Sequence, residues 1–142
     1  TGHKVTAELS QLWTFPDTID DLRAAMGILL YDQSSVTEEF LQNRMDVLHS
    51  GDYEAYFSAM FGGDKQQYQD AGVVTQEELA GVTCDVLFVH GRNDLPVPFV
   101  ETSLVLARAL PQADAVALGR CGHGPALEHP DKLLALAYQF FG

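Results

Sequence analysis

Two apolar runs, at residues 84–89 and 113–118, constrain this chain more than any other feature in it. The first is almost continuously apolar, the pattern of a strand covered on both faces of a parallel sheet. Between the runs, Pro98 suits the first turn of a helix that reads on through Phe99, Val100, Leu104, Leu106 and Leu110 and stops before Pro111. Strand, helix and strand in this order make a parallel crossover, for which the right-handed form is expected. Pro130 starts a last helix through Leu133, Leu134, Leu136, Tyr138 and Phe141. Two strands alone leave sheet edges open and faces under-covered. The strands therefore demand a larger sheet, supplied by a second polypeptide or by a bigger protein of which this is the C-terminal piece. The start at Thr1, without Met, favours the latter.

Upstream of residue 80 the periodicity is helical. Thr18 can cap a helix from Ile19 to about Tyr31, in which Ile19, Leu22, Met26 and Leu29 or Leu30 recur at steps of three and four. Thr37, with Glu38 and Glu39 in the first turn, opens a second helix through Phe40, Leu41, Met45 and Leu48 that Gly51 stops. Asp52 caps a third, carrying Tyr53, Tyr56, Phe57, Met60 and Phe61 and ended by Gly62-Gly63. The glutamine-rich stretch 66–69 reads as a mobile link or a frayed helix, and Thr75 to Glu78 as one capped turn.

Composition narrows the partners. The 142 residues are 46% hydrophobic and 20% charged, which is ordinary globular usage and argues against disorder or a coiled coil. Eight Lys and Arg against twenty Asp and Glu give a net charge of −12, which repels phosphate backbones and anionic lipid, so neither nucleic acid nor membrane is expected as a partner. The opening Thr1-Gly2-His3-Lys4 does not read as the start of a signal or transit peptide, so none is expected here. Cys84 and Cys121 are too few for a disulfide framework and lack zinc spacing, leaving a reducing cytoplasm as the default expectation.

Asp94 follows the first strand directly, and His123 follows the second after a short loop. In an open parallel sheet both fall at the carboxyl ends of adjacent strands, where ligand sites form. A carboxylate there would hold one imidazole nitrogen as a donor and leave the other to take a proton from a nucleophile. Either residue alone is ordinary, an aspartate closing a turn or a solvated loop histidine. The pair in this order is not. Gly122 and Gly124 are expected to let the loop turn tightly around the ring. His90 reads as the end of its strand, and Trp13 as an anchor. Cys121, His123, Glu128 and His129 crowd together without metal-site spacing, so no metal is expected.

The segments Val86-Leu-Phe-Val-His-Gly-Arg-Asn-Asp94-Leu-Pro-Val-Pro98 and Leu118-Gly-Arg-Cys-Gly-His123-Gly-Pro-Ala-Leu-Glu-His-Pro130 resemble the C-terminal half of α/β-hydrolases. In that fold the order is serine, acid, histidine, with the serine in a G-x-S-x-G elbow upstream. None of Ser10, Ser34, Ser35, Ser50, Ser58 or Ser103 lies in such a motif. The resemblance implies an α/β fold with a helical lid at 1–78, followed at 79–142 by the parallel strand-helix-strand-helix part of the core. It also implies a partner, the N-terminal half with the nucleophile, on the same or a separate chain, without which this chain should be inactive.

Within the superfamily, Leu29-Leu-Tyr-Asp-Gln-Ser-Ser-Val-Thr-Glu-Glu-Phe-Leu-Gln-Asn-Arg44 and the Gly-Arg-Cys-Gly-His run are similar to the meta-cleavage product hydrolases, which break a carbon–carbon bond in ring-opened aromatic catabolites. That likeness implies Asp94 and His123 as catalytic acid and base. It makes Arg44 the clamp on the substrate carboxylate, a role suited to its planar fork. Cys121 fits the same pattern as a pocket residue, although it serves equally as a small packing group. Gly124 stands where the family has tryptophan and Leu29 where it commonly has an aromatic, so both hollow the pocket. The implied reaction needs no cofactor. A carboxylesterase or other acyl hydrolase, a non-catalytic binding module on the same scaffold, and a homo-oligomer all remain open at this point.

Overall fold

The N-terminal helices form where threonine caps dictate. In the computed structural model, which describes residues 4–142, Thr6 caps α1 (Ala7–Leu12), Thr18 caps α2 (Ile19–Leu29), and Thr37 caps α3 (Glu38–Leu48). The Thr1 start lies outside the described residues. Each threonine hydroxyl accepts a backbone N–H of the first turn, and at α2 Asp21 reaches back to the Thr18 N–H to close a capping box. Leu22 of α2 packs with Leu41 and Met45 of α3, and Ile19, Met26, Val36, Phe40 and Leu48 surround them. Leu41 is fully buried, as the three-and-four spacing requires.

Beyond this pair come α4 (Tyr53–Phe61), α5 (Lys65–Ala71) and α6 (Gln76–Ala80). Asp52 sits at the N-cap of α4 but makes no side-chain capping bond, unlike the expectation. The stretch expected as a link or frayed helix is α5. Asp64 caps it, and Lys65 donates to the Ser10 carbonyl at 2.7 Å and the Thr14 hydroxyl at 2.9 Å, tying α5 to α1. Trp13 stacks on Phe61 at 5.4 Å and meets Tyr68 edge-on at 6.3 Å, so it anchors the helices to one another.

The strands β1 (Val86–Gly91) and β2 (Ala113–Leu118) pair in parallel, with Val86 opposite Ala113 and Gly91 opposite Leu118. β1 begins two residues later than the apolar run. The helix expected after Pro98 is broken: a 3₁₀ turn, Phe99–Glu101, precedes α7 (Ser103–Ala109), because Thr102 leaves helical geometry at φ −124°, ψ −92°. The loop after β2 holds one short helix, α8 (Pro125–Glu128), ahead of α9 (Pro130–Phe141). Among the described residues the sheet has two strands, and α9 leaves Leu134, Tyr138 and Phe141 exposed. No helix among them is long and apolar enough to cross a membrane.

Gly91 ends β1 against the backbone of the next loop. A Cβ there would lie 1.8 Å from the Gly122 carbonyl oxygen and 2.6 Å from that of Cys121. Backbone cannot swing aside as a flexible side chain does. Gly91→Ala is therefore expected to lower stability by about 1–3 kcal/mol through overpacking, read by urea denaturation; an unchanged midpoint would show that the two backbones are not held together in solution.

Candidate active site

The turn after β1 places Asp94, and the loop after β2 places His123. His123 Nδ1 lies 2.9 Å from Asp94 Oδ2, and the other carboxylate oxygen, Oδ1, accepts the Val97 N–H at 2.9 Å. The aspartate side chain is 3% exposed and the histidine 45%. The carboxylate thus sits below the surface, while Nε2 of the ring has no hydrogen-bond partner among the described residues. Chemically, this is a proton acceptor whose second nitrogen is fixed as a donor.

Two residues that sequence patterning did not single out for this site hold it together. His90, expected only to end its strand, brings Nε2 to 3.0 Å from the same Asp94 Oδ2. Glu128 spans the loop and the helical region. Its Oε1 accepts the Gly122 N–H at 2.6 Å, and its Oε2 accepts those of Tyr31 and Asp32 at 2.7 and 3.1 Å. The His123 N–H donates to the Leu29 carbonyl at 2.7 Å. The local HG dipeptide and the clustered Glu128 were visible in the sequence; their long-range partners carried no periodic signal.

The remaining expected residues are distributed as follows. Leu29 meets the histidine loop through its backbone. Gly124 faces Leu30 and Leu127, whose methyls stand 3.3 and 3.6 Å from where a Cβ would be, so these leucines occupy part of the space expected to be hollow. Cys121 is completely buried, and burial, with the Glu128 charge, pushes its thiol up to about 11. Its burial fits a small packing group. Arg44 is exposed on α3, its guanidinium 5.9 Å from the Phe40 ring centroid. Glu38, in the first turn of the same helix, pairs with Arg23 of α2 at 2.8 Å. The left-handed turn in the loop falls at Arg120, φ 53°, not at the glycines: Gly122 is required by space, since a Cβ would meet the Leu29 carbonyl at 2.4 Å.

Electrostatics follow the geometry. Burial acts to raise the Asp94 carboxyl, but hydrogen bonds from His123, His90 and the Val97 N–H outweigh it and hold the group at about 2, against an ordinary 3.8. The hydrogen bond to Asp94 raises His123 above its ordinary 6.5, against the opposing effect of burial. A raised histidine stabilises the fold fully below its unfolded value and loses that contribution as pH rises through the folded one. A depressed aspartate stabilises above its unfolded value and loses its contribution as pH falls toward 2. Both act in full between the ordinary values of 3.8 and 6.5. In an NMR titration the His123 ring should have its midpoint above 6.5, and Asp94→Asn should lower it; equal midpoints in the two proteins would dissolve the pair.

No family model matches the sequence. The chain is 26% identical over 137 residues to the 2-hydroxy-6-oxo-2,4-heptadienoate hydrolase of Pseudomonas putida, covering 96% of this chain and 49% of that protein. It is 34% identical over 124 residues to a 2-hydroxy-6-oxononadienedioate/2-hydroxy-6-oxononatrienedioate hydrolase of Dechloromonas aromatica, covering 87% of this chain and 41% of that one. Among solved structures it matches the meta-cleavage product hydrolase CumD from Pseudomonas fluorescens with a TM-score of 0.93 and 31% identity, over 99% of this chain and 52% of that one. The chain spans about half the length of the curated relatives it matches. Over that span it has the fold of the C-terminal part of α/β-hydrolases, and the relatives and structures it resembles are meta-cleavage product hydrolases.

Proposed function

We propose that this chain supplies the lid, at 1–78, and the acid–base part of the core, at 79–142, of a serine-type hydrolase. The enzyme would cleave a carbon–carbon bond in 2-hydroxy-6-oxo-dienoates from aromatic degradation. The observation that carries this reading is the 2.9 Å contact between His123 Nδ1 and the buried Asp94 carboxylate, with Nε2 left open. The names of the relatives supply the substrate class.

In this reading His123 Nε2 is the base. It takes the proton from serine, or from the water that attacks the ketone, while Asp94 holds the ring and stabilises the imidazolium that forms. With the dienol ketonised, collapse of the adduct breaks the carbon–carbon bond and the proton passes to the carbon leaving group, which departs as the dienoate; on the serine route water then hydrolyses the acyl-serine to the carboxylic acid. Arg44 clamps the substrate carboxylate through its two-point fork, which requires the guanidinium to leave the Phe40 face. Leu29, Leu30 and Gly124 border the space beside the ring, and Cys121 supports it from beneath. The nucleophile and the oxyanion donors come from the N-terminal half of the hydrolase, so the chain by itself turns over no substrate. The chemistry calls for no metal or cofactor.

The reading is tested by turnover of a ring-fission dienoate by this chain together with an N-terminal half, followed as loss of the dienolate absorbance. Cleavage to a dienoate and a carboxylic acid is expected, with His123→Ala at least about 100-fold slower. Hydrolysis of simple esters with the dienoate untouched would make the protein an acyl hydrolase. Undiminished turnover in His123→Ala would remove the triad, and no turnover by the assembled protein would leave a binding module. Arg44→Gln should raise KM roughly tenfold or more with kcat less affected, the mark of a lost ground-state contact to a charged group.

A further inference from the structure

Asp94 Oδ2 is approached by two imidazoles. His123 Nδ1 comes from one side at 2.9 Å, and His90 Nε2 from the other at 3.0 Å. The second contact is independent of the pair already described, since His90 lies within β1 and its ring is only 10% exposed.

The partners of His90 fix its protonation pattern. Nε2 is 2.8 Å from the Val97 carbonyl as well as 3.0 Å from the carboxylate, and both of those groups are acceptors. Nε2 must therefore carry the hydrogen, shared in a three-centre contact. Nδ1 lies 2.7 Å from Ser103 Oγ, so in the neutral ring it accepts the serine hydroxyl. Phe99 meets the ring edge-on at 5.6 Å and limits its rotation. Ser103 opens α7, and Val97 also donates its N–H to Asp94 Oδ1. His90 thus joins the strand, the turn that bears Asp94 and the following helix, and its Nε2 stands 3.0 Å from the oxygen that orients His123. The titratable groups around Asp94 are His90 on β1, His123 on the loop after β2, and Cys121 beneath that loop, with Glu128 of α8 beyond it.

We propose that His90 is a positioning residue for this site: it anchors the Asp94 carboxylate in the orientation that meets His123, with Ser103 holding the opposite edge of its ring. The inference rests on the proposed hydrolase reading for its kinetic consequence but not for its structural one.

The test uses His90→Phe, which keeps a ring but removes both nitrogens, and His90→Gln, whose amide N–H can reach the Nε2 position. In His90→Phe the His123 titration midpoint should fall toward 6.5, and the downfield proton resonance of Nδ1–H should weaken. In the assembled enzyme kcat should fall roughly ten- to hundredfold with KM little changed, by analogy with the loss of an outer partner of a metal-bound histidine. His90→Gln should recover most of each effect. If His90→Phe does not fold, Ser103→Ala carries the test, with a smaller change in the same direction.

An unchanged His123 midpoint in the folded variant, or a raised one, would overturn the proposal, the latter because His90 would then compete for the carboxylate rather than place it. A folded glutamine variant no better than phenylalanine would overturn it as well. The NMR readout needs no turnover, so a shifted midpoint in a protein without hydrolase activity would refute the functional reading and leave His90 in its role.

Discussion

Three lengths of backbone meet without side chains between them, and the position of His123 depends on that stack. Gly91 at the end of β1 lies against the carbonyls of Cys121 and Gly122, and Gly122 in turn lies against the Leu29 carbonyl at the end of α2. Glu128 closes the stack, its carboxylate accepting backbone N–H groups from Gly122, Tyr31 and Asp32. The His123 N–H adds a bond to Leu29. A single carboxylate on three amide donors, two of them in another part of the chain, is a charge-assisted clamp, stronger than neutral contacts of the same number. The histidine is therefore held by the helical region as much as by its own loop. A shift of the turn at 30–32 must move the loop at 121–123 with it.

Below that stack lies a buried charge, and its surroundings explain why it is tolerated. A carboxylate taken out of water is costly unless donors meet its oxygens. Asp94 has Val97 on one oxygen and two imidazoles on the other. This arrangement has a directional consequence. The carboxylate cannot rotate without giving up at least one donor, so the ring of His123 has one preferred plane, and its open nitrogen points where the loop, rather than thermal motion, sends it.

Local chemistry was legible in the sequence, and distant chemistry was not. The caps at Thr18, Thr37 and Thr75 and the strand 113–118 could be read because each depends on residues within a few positions. The order strand, Asp94, helix, strand, His123 was legible for the same reason. The helix after Pro98 was read as continuous because its apolar spacing is continuous, while the break at Thr102 lies where Ser103 turns its hydroxyl to His90. α1 went unread: its six residues are short for a periodic pattern. α5 was masked by glutamines whose tertiary anchors, with Lys65 on α1, appear only in three dimensions. His90 and Glu128 escaped notice in the same way, since their partners are chosen by the fold and not by spacing. The glycines of the histidine loop were read as turn formers, whereas the turn falls on Arg120 and Gly122 serves to admit a neighbouring backbone.

The residues around Gly124 bear on which substrates the proposed enzyme would hold. A side chain at 124 would start 3.3 Å from a Leu30 methyl and 3.6 Å from one of Leu127, tighter than ordinary contact on the first side. The space beside Gly124 is therefore partly filled by leucines from the end of α2 and from α8. Aliphatic walls select by shape and volume, whereas aromatic ones add stacking and quadrupole contacts worth about 0.5–1.5 kcal/mol beyond area. The space beside Gly124 is thus bounded by aliphatic side chains, and a larger residue at 124 would have to displace the Leu30 methyl before it could add a wall next to the acid–base pair.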